Sequence, residues 1–519
     1  MKKYISFFLV YLFSLLMLFS LVSCSNEENN HQDLSDEDII NLVIDNFMPL
    51  TKVPRPSHFE EMISQYLMDW ASFNGLEPKR DRFNNVMFDV PATKGMEDKP
   101  LGILQGHMDM VVAVADDKVF DPLHDEITPI RDDEKGTITA DGTSLGADDG
   151  IGLAIIKSVV QGKMAHGPLR MIITVDEEDG MVGASNMDEA WLDGASFLIN
   201  IDNEMSEQVL VSTASGNNLS INEKVDFVES TLNTPISIEI SNLKGGHSGV
   251  DIDKGRLNGI RAVVGFLAVL DENYIQYELA SFAGGTAGNA IPTRAKATIV
   301  INDINRQSVN MLFNQYKESL NNEYAGKEDI IFELNDSIPI NKVVAESVKV
   351  GFVNFINNVQ DGVRNVSEDI QGLIESSSNL GIARLNPLTE TVEIITFMRS
   401  SKVAIEAMML RNQMALGEES GFTPEYTHTA DAWEYDPDSK LLAIAKEVYK
   451  KQNGNEVVVA ALHAGVECGC FKKKRSTIDM ISIGPDISNP HTINEVLYLN
   501  SIPRTWRLLE GLLANYNAQ

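Results

Sequence analysis

Leu101-Gly102-Ile103-Leu104-Gln105-Gly106-His107-Met108-Asp109-Met110 is the stretch of sequence that decides the fold. Residues 101–105 form a short apolar run with the length of a buried strand. In extended backbone, residues two apart point the same way, so Asp109 can hydrogen-bond the imidazole of His107. The stretch therefore predicts a strand that ends in polar residues of a functional site.

The same arrangement recurs along the first part of the chain. Strands are predicted at Leu169–Val175 and Phe197–Ile201, each followed by acidic residues, and an apolar helix at Ile151–Val160 follows a glycine-bounded loop. This alternation predicts an α/β fold with a mostly parallel sheet and helices on both faces. The polar clusters fall at the carboxyl ends of the strands, where such sheets bind their ligands.

Residues near 217 to 430 differ in character from the chain on either side. Strand-like segments at Ile236–Ser241, Ala297–Ile301 and Val392–Phe397 alternate with amphipathic stretches such as Leu257–Leu270. We interpret residues 217–430 as an inserted α/β lid domain. This lid domain is long enough to hold two lobes, one of which could stand in for a dimer partner.

From about residue 431 the chain is predicted to return to the first sheet. Strands are expected at Val457–Leu462 and Asp479–Ile483, and a closing helix at Ile502–Ala514. Residues 36–216 and 431–519 would then form one catalytic domain. The total length of 519 residues agrees with two domains rather than one.

The composition excludes some classes of partner. Apolar residues make up 43% of the chain and charged residues 23%, as in folded globular proteins. The formal net charge of −33 argues against nucleic acid and against adhesion to anionic lipid through the protein's own charge. Cys468 and Cys470 are too close in sequence for an unstrained disulfide, so we predict free, buried thiols; a metal-binding pair is the alternative.

Residues 1–24 are typical of a secretory leader, since two lysines precede an uncharged apolar run over residues 4–21. Leu21-Val22-Ser23-Cys24 resembles a bacterial lipobox, which implies that Cys24 is lipidated and that residues 25–35 form a tether. An uncleaved transmembrane anchor is the alternative. We expect an exported protein, lipid-anchored to the bacterial cell envelope at the outer membrane, that faces the periplasm or the exterior.

Five separated segments supply histidines and carboxylates. Each alone is a weak signal, because an Asp-Asp-Gly is an ordinary turn and an acidic run is usually a solvated loop. Together, two histidines and three carboxylates match a site for two metals that share one carboxylate. The segments are Gly106–Met110, Gly146–Gly150, Asp176–Gly180, Ile201–Asp202 and Pro490–Thr492.

These segments resemble, in order and spacing, the M20 metallopeptidase family. Leu243–Asp251, Gly372–Gly381, Phe397–Ser401 and His463–Gly469 are similar to its aminoacyl-histidine dipeptidase branch, also called cytosol non-specific dipeptidase or peptidase D. The resemblance covers nearly everything from about residue 36 to the end. It implies a zinc-peptidase-like catalytic domain, two Zn²⁺ per subunit with Mn²⁺ or Co²⁺ as substitutes, and hydrolysis of Xaa-His and other unblocked dipeptides.

The resemblance also implies a ligand set for the metals. His107 and Asp202 would bind one zinc, Glu178 and His491 would bind the other, and Asp148 would bridge both.

Two further carboxylates would assist the reaction. Asp109 would orient His107, and Glu177 would be the general base that takes a proton from a metal-bridging water. Because Glu177 and Glu178 are adjacent, they face opposite ways in extended backbone, so one can bind metal while the other reaches a water.

The lid domain would supply substrate contacts. His247 resembles the histidine that steadies the scissile oxygen, Asn289 a substrate-binding asparagine, and Arg399 the arginine that holds the substrate's C-terminal carboxylate. His463 lies in a stretch that the family places near the site; whether His463 and Glu467 contact substrate or form a structural loop stays open. It is equally open whether His247 acts in its own subunit or in the partner of a homodimer formed through the lid domain.

Four positions depart from the pattern of the branch. Asp149 stands where asparagine is common and adds negative charge beside the bridging ligand, and a cis bond is implied between Asp148 and Asp149. Gly288 replaces an arginine, and Asp253 and Leu257 replace a basic or polar residue and a small one. None is a predicted metal ligand, so these departures concern substrate preference.

Two other functions stay open. One is another amidohydrolase of the same family, an aminoacylase, deacetylase or carboxypeptidase, which a comparison of free-amine and N-acetylated dipeptides would identify. The other is a non-catalytic, surface-anchored binding protein, whose signature would be the loss of Glu177 or a ligand; all of them are present. The expected partners are dipeptides and, through Cys24, a membrane.

Overall fold

Two sheets organise the chain in the computed structural model, which describes residues 34–370 and 372–517. The predicted leader, Cys24 and most of the 25–35 tether lie outside the described residues. Among the residues that are described, no helix has both the length and the apolar character needed to cross a membrane.

The strands and helices agree with the predicted ones to within a few residues. The strands are β1 Lys79–Arg80, β2 Val86–Val90, β3 Gly102–His107, β4 Pro129–Asp132, β5 Thr137–Ala140, β6 Leu169–Thr174, β7 Phe197–Asn200, β8 Gln208–Thr213, β9 Gly216–Lys224, β10 Phe227–Glu229, β11 Thr234–Ser241, β12 Gly246–His247, β13 Tyr277–Gly284, β14 Ala290–Ile291, β15 Ala295–Ile301, β16 Ile331–Asp336, β17 Lys342–Val344, β18 Gly362–Val366, β19 Ile374–Asn386, β20 Thr391–Ser400, β21 Glu425–Ala430, β22 Val458–Leu462, β23 Asp479–Ser482, β24 Ile487–Ser488 and β25 Val496–Tyr498. The helices are α1 Asp36–Phe47, α2 Glu61–Phe73, α3 Ala147–Ser158, α4 Val182–Asn186, α5 Gly259–Glu272, α6 Arg306–Glu323, α7 Glu346–Asn358, α8 Val403–Glu419, α9 Lys440–Asn453, α10 Glu467–Lys474 and α11 Ile502–Asn515.

The first sheet has eight strands in the order β1-β2-β6-β3-β7-β23-β8-β22. Its centre is parallel, since β3 pairs in parallel with β6 and β7, and β7 with β23. Antiparallel pairs occur towards the edges, where β2 meets β6 and β8 meets β23. The predicted α/β fold with a mostly parallel, mixed sheet is confirmed.

Helix α3 is buried along its whole length behind the site. All of its residues from Ala147 to Ser158 are buried, because the helix is apolar on nearly every side and packs between α1 and β3. Helices α9 and α11 pack against each other, and α9 also contacts β23. The buried core of this domain therefore begins directly behind the first turn of α3.

The second sheet has nine strands and is antiparallel. Its order is β16-β11-β15-β13-β19-β20-β9-β21, with β18 paired to β19. Helices α5 and α7 contact each other, and their buried residues join those of the strands in one apolar core, which includes Ile260, Phe266 and Phe352. Strands β13 and β19 join the two halves of the region into one continuous sheet within a single chain.

Two smaller features complete the fold. Cys468 and Cys470 lie on α10, and both are buried, free thiols as predicted. A two-stranded ribbon of β12 and β14 extends from the second sheet, with His247 paired to Ala290.

Candidate metal centre

The ligand cluster, which we define as His107, Asp148, Glu178, Asp202 and His491, forms at one edge of the first sheet. His107 is the last residue of β3, Glu178 lies in the turn after β6, and Asp202 follows β7 by two residues. The three strands are parallel neighbours, so their carboxyl ends meet at this edge. Asp148 lies in the first turn of α3, and His491 lies between β24 and β25.

One group of ligand atoms surrounds His107. Its Nε2 atom lies 3.2 Å from Oδ1 of Asp148 and 3.3 Å from Oδ1 of Asp202. His107 is 1% exposed, whereas Asp148 and Asp202 border a cleft.

A second group surrounds His491. Its Nε2 atom lies 3.0 Å from Oδ2 of Asp148 and 2.9 Å from Oε2 of Glu178. Asp148 therefore offers one carboxylate oxygen to each group, as a bridging ligand must.

The two groups fit metal ions. Ligand atoms about 2.0 Å from a tetrahedral zinc are separated by about 3.3 Å, close to the separations within both groups. In each group, three ligand atoms lie within 4.8 Å of one another. Oε1 of Glu178 is buried and accepts no hydrogen bond from the described residues, so it is available to a cation. Each group can thus hold a metal ion.

Asp109 connects His107 to the turn that carries Glu177 and Glu178. Its Oδ1 atom lies 3.4 Å from Nδ1 of His107, a contact slightly long for a hydrogen bond. The same carboxylate accepts hydrogen bonds from the backbone N–H of Glu177 at 3.0 Å and from the hydroxyl of Ser57 at 2.9 Å. Asp109 thus fixes both a ligand and the neighbouring turn.

The electrostatics of the cluster reflect its excess of carboxylates. Burial alone would lower the pKa of His107, but Asp202, Asp109 and Asp148 outweigh it and raise that pKa well above its usual value. Hydrogen bonds to Asp148 and Glu178 raise the pKa of His491 to about 11. The cluster therefore attracts positive charge, either as protons or as metal cations.

Glu177 lines the cleft next to this cluster. Burial, together with Asp202, Glu467 and Glu178, raises the pKa of Glu177 well above its usual value. Burial also raises the pKa of Asp202 to about 7. Both carboxyl groups therefore bind a proton more readily than a solvated carboxylate does.

The bond between Asp148 and Asp149 is cis, as the resemblance implies. Oδ2 of Asp149 accepts a hydrogen bond from the backbone N–H of His107 at 3.1 Å, and Oδ1 accepts one from Gly152 at 3.1 Å. Burial and the carboxylates of Asp202 and Asp148 raise the pKa of Asp149 well above its usual value. The side chain of Asp149 thus supports the backbone of β3 and of α3 beside the bridging ligand.

Glu495 was not predicted from the sequence, and it holds the loop of the bridging ligand. Its carboxylate accepts hydrogen bonds from four consecutive backbone N–H groups at 2.7 to 3.3 Å, those of Leu145, Gly146, Ala147 and Asp148. The start of α3 leaves these donors without helical partners, and a carboxylate suits them. Its position four residues after His491 is the only signal of this role in the sequence.

Arg55 was also missed, and it ties the same loop to β3. The side chain is 2% exposed. Nη1 donates hydrogen bonds to the carbonyls of Met108 and Asp109, both at 3.0 Å, and Nη2 donates to the carbonyl of Gly146. Its sequence context, between two prolines, does not distinguish it from a surface arginine.

The lid domain places His247 over the cleft on the β12–β14 ribbon. Nδ1 of His247 accepts a hydrogen bond from the backbone N–H of Gly249 at 3.2 Å. In neutral imidazole the proton then lies on Nε2, which becomes a donor. Burial and the charge of Arg399 lower the pKa of His247, which favours this neutral form.

Arg399, on β20, lines the cleft as an unpaired cation. It is 6% exposed, its guanidinium lies 4.6 Å from the ring centre of Phe397, and burial lowers its pKa to about 10. No carboxylate of the described residues lies within 4 Å of its nitrogens. A buried arginine without a counter-ion is a binding site for an anion.

Asn289 lines the cleft beside His247, and its position depends on a residue that the sequence did not single out. Nδ2 of Asn379 donates to the carbonyls of Gly288 at 2.6 Å and Ala290 at 2.9 Å, the two neighbours of Asn289. The backbone carbonyl of Asn289 accepts a hydrogen bond from Ser248 at 2.8 Å.

His463 and Glu467 lie outside the residues that line the cleft. Nε2 of His463 lies 2.7 Å from the hydroxyl oxygen of Ser377. Glu467 is fully buried and accepts hydrogen bonds from the side chains of Gln105 at 2.5 Å and Thr174 at 2.7 Å. The structure thus brings together every other predicted site residue that it describes, and a substrate contact of His463 stays a prediction.

Both domains of one chain line the cleft, which has a volume of about 640 Å³. This volume lies within the usual range for small-molecule sites. The residues around it include Asp148, Glu177, Glu178, Asp202, Glu204, His247, Asn289, Arg399 and His491. Burial and the charge of Asp148 raise the pKa of Glu204 to about 7.

Comparisons with known proteins agree with this architecture. The sequence matches peptidase family M20/M25/M40 over residues 103–515. It is 34% identical over 480 residues to the cytosol non-specific dipeptidase of Escherichia coli, covering 92% of this chain and 97% of that protein.

Two solved structures share the fold. The aminoacylhistidine dipeptidase of Vibrio alginolyticus superimposes with a TM-score of 0.86 at 31% identity, over 96% of this chain and all (100%) of that one. The aminopeptidase PepT of Bacillus cereus superimposes with a TM-score of 0.52 at 16% identity, over 91% of this chain and 98% of that one, and indicates the fold alone.

Proposed function

The chain belongs to peptidase family M20/M25/M40, and we propose that it hydrolyses unblocked dipeptides, Xaa-His among them, with the help of two zinc ions. The observation that supports this most is the pairing of the ligand cluster with the unpaired cation of Arg399 across one cleft. The two relatives that match most of this chain at 31% identity or more are named as dipeptidases.

The residues that would hold the metals are those of the ligand cluster. His107 and Asp202 would bind one ion, Glu178 and His491 the other, and Asp148 both. Zinc is favoured because histidine and carboxylate are its usual ligands in catalytic sites, and Mn²⁺ or Co²⁺ could substitute. Bound there, the ions would polarise the scissile carbonyl and lower the pKa of a water molecule.

Glu177 would move the protons. Its carboxylate lies at the cleft beside the ligand cluster, where it would accept a proton from the attacking water and pass it to the leaving amine. Asp109 would position the turn that carries Glu177 through its hydrogen bond to the backbone N–H.

The lid domain would bind the substrate. The Nε2–H group of His247 would donate a hydrogen bond to the oxygen of the scissile carbonyl as negative charge develops there, since Nδ1 is already occupied as an acceptor. Arg399 would hold the C-terminal carboxylate through two hydrogen bonds, and Asn289 would contact the substrate beside it. Because these residues line the cleft of their own chain, the proposal has His247 acting within one subunit.

A dipeptide panel tests the function against its rivals. Purified protein with zinc or manganese added should hydrolyse free-amine dipeptides, including Xaa-His members, and should cleave their N-acetylated forms much more slowly. A preference for N-acetylated substrates would favour an aminoacylase or deacetylase, and hydrolysis of long peptides from the C-terminus would favour a carboxypeptidase. No hydrolysis of any member would favour a binding protein.

We also propose that the protein works outside the cytoplasm, lipid-anchored through Cys24 to the outer membrane, where it would salvage dipeptides. The support is the sequence of residues 1–24. Membrane fractionation of the native protein beside a Cys24→Ala variant tests this, because only the native protein should sediment with membranes. A homodimer through the lid domain belongs to the same proposal, and its mass in solution, measured by light scattering on a soluble form that starts at residue 25, would reveal it.

A further inference from the structure

Five carboxylates line the cleft, and two of them have no counter-charge. Asp148, Glu178 and Asp202 contact the two histidines of the ligand cluster. In the part of the chain that the structure describes, the carboxylates of Glu177 and Glu204 form no hydrogen bond and no ion pair with another residue. Glu177 is adjacent to a ligand and has a role in proton transfer. Glu204 has no role in that chemistry, so its position calls for another explanation.

The backbone holds Glu204 firmly at the cleft. Its carbonyl accepts a hydrogen bond from Ile487 at 3.1 Å, and the preceding residue, Asn203, donates its side-chain amide to the carbonyl of Met205 at 2.9 Å. The loop also packs tightly against Gly484, where a Cβ atom would lie 1.7 Å from the carbonyl oxygen of Asn203. Hydrogen bonds and close packing therefore hold the backbone that carries the Glu204 side chain at the cleft.

The unpaired charges of Arg399 and Glu204 belong to different domains. Arg399 comes from the lid domain, and Glu204 comes from the loop after β7 in the catalytic domain. The charged groups that act most strongly on Glu204 include Asp148, His491 and Glu178, which places it on the side of the second metal group. An unblocked dipeptide carries an ammonium group on one side of the scissile bond and a carboxylate on the other.

We infer that the carboxylate of Glu204 binds the α-ammonium group of the substrate, opposite the carboxylate held by Arg399. This inference rests on the proposed dipeptidase function and adds the residue that selects a free amine. The ammonium donates N–H hydrogen bonds to the Glu204 oxygens, and each end of the zwitterion then meets the opposite charge. An N-acyl group would remove the positive charge and leave Glu204 buried beneath the ligand without a partner, which is costly.

Binding measurements on an inert, metal-loaded Glu177→Gln background test this inference. Alanyl-alanine and propionyl-alanine, which lacks only the ammonium, are titrated by calorimetry with and without Glu204→Gln. The expected result is alanyl-alanine binding weakened by about 10- to 100-fold, with propionyl-alanine nearly unchanged, because a charge-assisted hydrogen bond is lost. Glu207→Gln is the matched control: it lies three residues on, pairs with Arg504 at 3.2 Å and does not line the cleft.

Three outcomes would overturn the inference. These are unchanged binding of alanyl-alanine, an equal loss for both ligands, or loss of metal from the Glu204→Gln protein, which would assign this carboxylate to the metal centre. Turnover by the wild-type protein separates the two proposals. If the wild type hydrolyses alanyl-alanine but Glu204→Gln does not change its binding, only the ammonium site is wrong. If the wild type does not hydrolyse unblocked dipeptides, the proposed function itself fails.

Discussion

The catalytic domain and the lid domain contribute to the same cleft in opposite ways. In the catalytic domain, the two histidine Nε2 atoms of the cluster lie 2.9 to 3.3 Å from carboxylate oxygens, and Arg55 and Glu495 hold the neighbouring loops through backbone hydrogen bonds. In the lid domain, Nε2 of His247 and Nε of Arg399 have no hydrogen-bond partner among the described residues. The difference agrees with the proposal that the catalytic domain holds metal cations and the lid domain binds the substrate.

Loss of the general base should give the largest effect and leave the metal centre intact. We expect Glu177→Gln to lower kcat by about 10²- to 10⁴-fold, since an amide cannot accept the proton, while both metals remain bound. Steady-state kinetics together with metal analysis measure this. Asp179→Asn is a control in the same turn, because Asp179 is exposed and pairs with His58 at 2.9 Å. Near-normal kcat for Glu177→Gln would refute the role of Glu177.

Replacement of Glu495, which holds the loop of the bridging ligand Asp148, should lower the affinity for metal. Glu495→Ala leaves four backbone N–H groups at the start of α3 without their acceptor, so the loop that carries Asp148 loses its support. We expect metal affinity to fall by about 10- to 100-fold, as for other residues that orient ligands. Glu495→Gln keeps an acceptor oxygen, so its metal affinity should fall less than that of the alanine variant. Equal metal affinity in the wild type and the alanine variant, measured by titration with a competing chelator, would show that Glu495 does not hold this loop.

A change in the lid domain should act on substrate and not on metal. Arg399→Lys keeps the charge but loses the paired geometry, so we expect KM for a dipeptide to rise by roughly 10-fold with metal content unchanged. A dipeptide whose C-terminus is an amide serves as the comparison, since it has no carboxylate to lose. If both substrates are affected equally, Arg399 does not bind the carboxylate.

The smallest expected effect concerns Glu467, a buried residue beneath the catalytic site, and is seen in the dependence of Tm on pH. Burial raises the pKa of Glu467 from about 4.5 to about 8 in the folded protein. The folded state then binds this proton more tightly than the unfolded state, so stability is lost as pH rises from about 4.5 to 8. In excess chelator, Glu467→Gln should therefore reduce the fall in Tm across this window. The slope of Tm against pH would stay unchanged if Glu467 titrated normally.

The sequence predicted the strands and the metal site of the catalytic domain, but it did not predict the residues that hold the loops around that site. Runs such as Leu169–Val175 predicted β6 because a buried strand is apolar along its whole length. The five segments with histidines and carboxylates predicted a site for two metals, and the resemblance to the M20 family supplied the ligand set. Arg55 and Glu495 could not be found in this way, because they bind backbone groups and their partners are set by tertiary packing. The sequence alone likewise did not reveal that the lid domain forms one antiparallel sheet.

Asp149 and Glu204 show a second limit of prediction from sequence, because the surroundings of an acidic side chain depend on the fold. Asp149 was expected only to add negative charge beside a ligand, yet its carboxylate also accepts hydrogen bonds from the backbone N–H groups of His107 and Gly152. Glu204 was not predicted as a site residue, since an acidic residue in a polar loop is usually solvated. Only the structure shows that it lies in the cleft without a counter-charge.

The most direct test is a metal titration of the chelator-stripped protein, with hydrolysis of a free-amine dipeptide as the readout. The ligand cluster offers two groups that share Asp148, so activity should be absent without metal and should reach its maximum at two equivalents of zinc per chain. Full activity in the stripped protein, confirmed to be free of metal by elemental analysis, would contradict the account.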